Sequence, residues 1–429
     1  MNGAYLRTFF RGSFISLAGT GLFGIVNYLI RRKLSIDLPI AGYGAFYSMF
    51  ALFALVFGLA DIGLTQTGTL MIAASAESPR RREAVFSQLF LLKGASAILC
   101  SCGIVVFFEA TGRAEQIAPG LLLMMGVFFI FQTLNGTLQA LWNGLKKFGT
   151  QQVFLLLTSG LTLALLYGAG GAGSLKRVTL CFTAASAAAL LGGLLYSQIG
   201  GIGRLRPQFR RKICRTLILT GGQIAVSTSL LSFMYYMDTI MLNSLKGPES
   251  AGLYNVALPL MQIVQALMVF PSVFLPIAVE MERKGEYAKL LRFVGGALLV
   301  TAAAVGPVWA FFHWSSAFLI RILFDAKYIA AAPAATVLCV GLLFFTLGNF
   351  LLQIMFCLRK TGIMVVVSAA AAVLNFVLNY VLINRYDVLG AARATLFSYL
   401  IFALLTGTAL ICVLKRRIDV RRDQKLLQQ

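Results

Sequence analysis

Apolar runs of about 20 residues, separated by short loops, constrain this chain most, because a helix of that length is what crosses ~30 Å of hydrocarbon. Twelve such runs fit, at about 10–30, 43–64, 84–108, 119–141, 151–168, 178–199, 216–243, 252–278, 293–312, 334–357, 363–383 and 391–413. Hydrophobic residues make up 59% of the chain, only 12% are charged, and the mean hydropathy is +0.84. Soluble domains carry nearer ~45–50% apolar and ~25% charged residues. The sequence therefore specifies an all-α polytopic membrane protein. Arg7 and Arg11 precede a run to Ile30 that superficially resembles a signal peptide. It exceeds an h-region of ~7–15 residues and lacks a small-residue cleavage site, so a retained first span is expected.

The formal net charge is +22. The cations lie in short clusters between apolar runs and not on one polar face, so topology explains them and no nucleic-acid partner is expected. Twelve crossings put both termini on one side, and that side holds 26 of the 37 Lys and Arg residues. The bias predicts cytoplasmic termini. The basic tail after Lys415 is expected to be drawn to anionic membrane lipid.

Seven cysteines form no CxxC, the single histidine is His313, and there is no GxxxxGK loop. No metal, nucleotide or other cofactor is expected.

The two halves echo each other. Pro39-Ile40-Ala41-Gly42-Tyr43-Gly44 before span two matches Pro248-Glu249-Ser250-Ala251-Gly252-Leu253-Tyr254 before span eight. Leu145-Lys146-Lys147-Phe148-Gly149 matches Leu358-Arg359-Lys360-Thr361-Gly362, and Arg177-Val178-Thr179-Leu180 matches Arg393-Ala394-Thr395-Leu396. Offsets of 210, 213 and 216 are nearly constant, which marks a duplication. With six spans per half the repeats are parallel. The expected division is an N-lobe over 1–203, a basic linker over 204–215, a C-lobe over 216–414 and a cytoplasmic tail over 415–429.

Polar residues within spans are the candidates for function. Gln132, Asn135, Gln139 and Asn143 recur at helical spacing in span four, Asn255, Gln262 and Gln265 in span eight, Asn349 and Gln353 in span ten, and Asn375 and Asn379 in span eleven. They line a hydrated cavity or serve as interhelical glue at ~1–2 kcal/mol each, and both readings stay open. Lys93 lies inside span three, where an unpaired cation costs ~2.5–3.5 kcal/mol. It faces a cavity or snorkels to the headgroups. Arg11, Arg31, Arg32 and Arg215 flank the first spans of the two halves and are further candidates for an anionic substrate, with interfacial anchoring as the alternative. Asp61 and Asp238 are the two acids within spans, and they bond local backbone or couple an ion. Arg321, in the segment 315–328, marks an expected interfacial helix.

Three stretches carry a family resemblance: Tyr43-Gly44-Ala45-Phe46, Asp61-Ile62-Gly63-Leu64, and Asp238-Thr239-Ile240-Met241-Leu242 followed by Ala251-Gly252-Leu253-Tyr254-Asn255-Val256-Ala257. With them the chain, from about Arg11 to Leu414, resembles the polysaccharide transport branch of the multidrug/oligosaccharidyl-lipid/polysaccharide (MOP) exporter superfamily, and in particular the Wzx-type flippases. The resemblance implies two six-helix lobes around a central cavity, and alternating access that carries an undecaprenyl-pyrophosphate-linked oligosaccharide to the outer leaflet of the bacterial inner membrane. It implies a transporter and no enzyme, working beside polymerase and chain-length proteins. A multidrug/cation antiporter of the same superfamily is the first alternative. A polytopic polymerase or glycosyltransferase ranks lower, because it would want acids or an Arg cluster on a sizeable external loop, and the short outer loops offer no such pair.

Overall fold

A computed structural model describes residues 3–61, 63–112, 120–168, 173–206, 210–267, 278, 280–282, 284–358 and 360–426. Side chains are described outside 3–18, 223–225, 227–228, 262–267 and 421–426. The elements in chain order are α1 (Gly3–Asp37), α2 (Ile40–Ala60), α3 (Leu64–Ala73), α4 (Pro79–Ala110), α5 (Leu121–Gly144), α6 (Phe148–Gly168), α7 (Leu175–Ile199), α8 (Arg211–Lys246), α9 (Pro248–Leu267), α10 (Tyr287–Leu323), a 3-10 turn (Ala326–Ala331), α11 (Ala332–Cys357) and α12 (Thr361–Leu426). Eight helices among the described residues are long and apolar enough to cross a membrane, so the chain is an all-α polytopic membrane protein. The last two expected spans share α12, which Asp387 (φ 51°, ψ −129°) divides by a sharp backbone turn. The eighth expected span runs into residues 268–277, outside the described set.

Two local departures have physical causes. The sequence predicts a second span to residue 64, but α2 stops at Ala60, Asp61 and Gly63 lie in turns, and the separate helix α3 starts at Leu64. Gly63 makes that turn at φ +64°, and a Cβ there would lie 2.4 Å from the Gly221 carbonyl oxygen, so only glycine fits. The interfacial helix expected over 315–328 is not a separate element. No breaker interrupts the sequence after Pro307, so α10 continues through Arg321 to Leu323.

The chain forms two compact units. One comprises Met1–Pro39 and Met49–Ser229, the other Ile40–Ser48 and Leu230–Gln429. The first packs Ile72, Phe86, Leu138, Leu141 and Trp142 into an apolar core. The 204–215 segment is tied onto it through Arg206, which pairs with Glu83 at 2.8 Å and donates its backbone N–H to Ser87 Oγ at 2.8 Å. The second unit has its own core around Leu290, Phe350, Leu351 and Leu410.

The duplicated motif has a packing role within the second unit. A Cβ on Gly44 would lie 1.7 Å from the Pro248 carbonyl oxygen, and one on Gly252 would lie 2.4 Å from that of Ile40. The two copies thus cross backbone against backbone, the close approach that small residues permit in membrane helices.

Candidate functional site

Lys93 is the centre of a polar site in the first unit. It stands about fourteen residues after the start of α4, ~21 Å along the helix axis, and is 5% exposed. Its ammonium is 2.8 Å from Asp61 Oδ1 and donates to Thr65 Oγ1. The α2–α3 break creates this arrangement. Asp61 ends α2, the chain turns at Gly63, and Thr65 in the first turn of α3 donates its hydroxyl to Asp61 Oδ1 at 2.8 Å and its N–H to Asp61 Oδ2 at 3.3 Å. Lysine, carboxylate and hydroxyl therefore close a three-membered ring.

The other wall is α5. A Cβ on Gly136 would sit 3.2 Å from Lys93 Nζ, so the absence of a side chain lets the ammonium lie against that helix. Gly136 is one turn from Gln132, which is exposed, and one turn from Gln139, which is half-buried. The amide face of α5 thus flanks the ion pair. The side chain of Lys93 is 6% exposed and that of Asp61 26%. The acid is the more accessible partner, and an incoming anion has to compete with it for the ammonium.

The remaining candidates are distributed differently. Asn135 donates to the Ser186 carbonyl at 3.0 Å, tying α5 to α7. Asn255 donates to the Ala251 carbonyl at 2.8 Å and to Thr239 Oγ1 at 3.3 Å, joining α9 to α8. Bonds of this kind between helices are those expected of interhelical glue. Arg31 is half-buried on α1, and Arg215 is exposed in the first turns of α8. The side chains of Arg11 and Gln262 lie outside the described residues.

A second polar cluster occupies the other unit. Asp238 on α8 is 1% exposed. Its Oδ2 accepts from Tyr254 Oη at 2.6 Å and from Thr395 Oγ1 at 2.5 Å, and its Oδ1 from Asn379 Nδ2 at 2.6 Å, with Asn375 Nδ2 at 3.5 Å. No ion pair reaches it among the described residues. Four neutral donors solvate the carboxylate where water is excluded. The amide oxygens of Asn375 and Asn379 are buried without a hydrogen-bond partner, so the cage holds unused acceptors beside the acid.

Sequence reasoning named Lys93 and Asp61 separately and did not pair them. It missed Thr65, Tyr254 and Thr395. The i, i+4 spacing of Asp61 and Thr65 becomes a usable signal once a helix start at residue 64 is known, and the Asn375/Asn379 spacing marks a shared face without naming the acid it meets. Among the described residues no cluster of His, Cys, Asp and Glu fits a metal ion.

This architecture recurs in known transporters. An inward-facing multidrug-resistance MATE family transporter of the MOP superfamily superposes with a TM-score of 0.73 at 14% identity, over 92% of this chain and 96% of that one. A MOP superfamily transporter from Pyrococcus furiosus, noted for a binding pocket of reversed polarity, gives 0.65 at 14% identity over 95% and 96%. At these identities the likeness establishes the fold. Among sequence relatives, an uncharacterised membrane protein of Methanocaldococcus jannaschii is 24% identical over 88% of this chain and 78% of its own length. A proposed O-antigen transporter of Shigella flexneri is 23% identical over 85% of this chain and 88% of its own. The family described as polysaccharide biosynthesis protein matches residues 9–282, a range that includes both copies of the first repeat motif, Lys93, Asp61 and Asp238. With the MOP exporter fold around those residues, the chain belongs to the polysaccharide biosynthesis protein family.

Proposed function

We propose that this protein is a flippase that moves an undecaprenyl-pyrophosphate-linked oligosaccharide from the cytoplasmic to the outer leaflet of a bacterial inner membrane, for O-antigen, capsule or exopolysaccharide synthesis. The observation that carries this reading is the buried Lys93 ammonium, held against the amide face of α5 and reachable past Asp61. A pyrophosphate crossing hydrocarbon needs a cation that is already desolvated, and Lys93 supplies one. Gln132 and Gln139, one turn to either side of Gly136, suit sugar hydroxyls. Arg11, Arg31 and Arg215 are assigned as further phosphate contacts along the route, and both termini are assigned to the cytoplasm; polymerase and chain-length partners would take up the product at the outer leaflet, downstream of transport. Moving two negative charges outward across about 100 mV yields ~4–5 kcal/mol, a sufficient drive for one passage. Asp61, as the competitor for Lys93, and Asp238, as a caged buried acid, are assigned to ion coupling.

The test is genetic and quantitative. Deleting the gene is expected to remove surface polysaccharide and accumulate lipid-linked precursor on the inner face. Lys93→Ala should reproduce the loss at unchanged protein abundance, while Lys93→Arg retains part of the activity. Normal polysaccharide in the Ala variant would remove Lys93 from the mechanism. Drug sensitivity in the deletion strain, with polysaccharide intact, would favour a multidrug/cation antiporter instead.

A further inference from the structure

The second unit contains a cavity of about 770 Å3 that shares no lining residue with either polar cluster, in the size range of small-ligand sites (~300–1,000 Å3). It forms where three apolar runs pass into basic sequence: before α10, at the start of α12, and in the tail of α12. Lys284, Lys360, Arg416 and Arg417 line it, against one acid, Glu282. Arg417 is fixed in place. It donates to Glu282 Oε1 at 3.2 Å, to Tyr287 Oη at 3.2 Å and to the Leu358 carbonyl at 3.1 Å, which neutralises the acid and holds the guanidinium on the wall. Lys284 is paired with Glu280 at 2.7 Å, at the rim. Lys360 and Arg416 are exposed, and neither has a carboxylate partner among the described residues. The cavity therefore presents uncompensated positive charge around a preorganised arginine.

The rest of the lining is apolar: Ile363, Ala409, Val413 and Val420. From there exposed apolar residues continue along α12, with Val366 67% and Leu404 53% exposed. A soluble anion would use only the cationic end. A lipid would use both, with its phosphate on the cations and its chains on the apolar face. We infer that this cavity binds the phosphodiester headgroup of an anionic phospholipid. The site is separate from the transport reading and stands without it.

Cys412 lines the cavity and is exposed, which makes its thiol a local reporter. The full-length protein is placed in nanodiscs of phosphatidylcholine alone or mixed with phosphatidylglycerol, and alkylation of Cys412 is followed by peptide mass spectrometry. Phosphatidylglycerol is expected to slow alkylation. The double variant Lys360→Gln/Arg416→Gln should weaken that protection roughly 30-fold in apparent lipid affinity. Lys360→Arg/Arg416→Lys, which keeps both charges, should retain it. Equal alkylation rates in the two kinds of disc would overturn the site. Protection by soluble glycerol phosphate in detergent, with no preference for the lipid, would overturn the lipid assignment and give the cavity to a soluble phosphate.

Discussion

Gly44→Ala is expected to remove most folded protein from the membrane fraction, although it adds a single methyl group. The added carbon would lie 1.7 Å from the Pro248 carbonyl oxygen and 2.5 Å from the Gly252 nitrogen. Both are backbone atoms, so no side chain can rotate away, and α2 and α9 would have to part at their crossing. Overpacking of ordinary cores costs ~1–3 kcal/mol through side-chain adjustment. Displacing two helices exceeds that, against a total stability of ~5–15 kcal/mol. Gly252→Ala meets the Ile40 carbonyl oxygen at 2.4 Å and should behave alike. Combining the two should add less than their sum, because one separation relieves both clashes. Gly58→Ala is the control in the same helix: nothing lies within 4 Å of its Cβ, and alanine there is expected to be neutral or stabilising by up to ~1 kcal/mol. Thermal midpoints in detergent and membrane abundance decide the matter. Similar values for Gly44→Ala and Gly58→Ala would mean that the crossing is not tight.

That crossing shows where the sequence is legible and where it stops. The spans can be read directly because lipid leaves a chain few alternatives to apolar helices, and the apolar runs within the described residues are helical apart from the turn after Ala60. The duplication can be read from matched motifs, but not that the copies touch, since Gly44 and Gly252 approach through tertiary packing that no periodicity encodes. The same limit applies to the polar sites. Helical spacing groups Gln132 with Gln139 and Asn375 with Asn379, because residues three or four apart share a face. It cannot say that Asn135, between the two glutamines, turns to the Ser186 carbonyl. Nor can it bring Asp61 to Lys93. That pair depends on a helix break at Gly63, and one glycine after an aspartate inside a long apolar run does not by itself mark a break.

Asp238 gives the sharpest separation of structure from mechanism, because of two substitutions at this one position only one should impair folding. In Asp238→Ala the Asn379 amide loses its acceptor and the Tyr254 hydroxyl keeps only Thr395 Oγ1, at 3.3 Å, while Thr395 still has the Ala391 carbonyl at 3.0 Å. Each buried group left unsatisfied costs ~1–3 kcal/mol, so a destabilisation of several kcal/mol and a marked fall in abundance are expected. Asp238→Asn preserves volume and one oxygen, which can still accept from Tyr254 and Thr395. Its new NH2 would face the NH2 of Asn379, but the Asn379 oxygen has no partner, so rotating that amide restores a donor–acceptor match. The Asn variant should therefore fold to near-parental levels. If the acid couples an ion, as proposed, this folded variant should still lose surface polysaccharide, because an amide cannot exchange a proton or balance a cation. Normal polysaccharide with Asp238→Asn would leave the cage a purely structural device. The same amide rotation that rescues the Asn variant would let the native cage satisfy either a carboxylate or a protonated acid, so the two orphan oxygens are what a site holding a buried acid in two charge states requires.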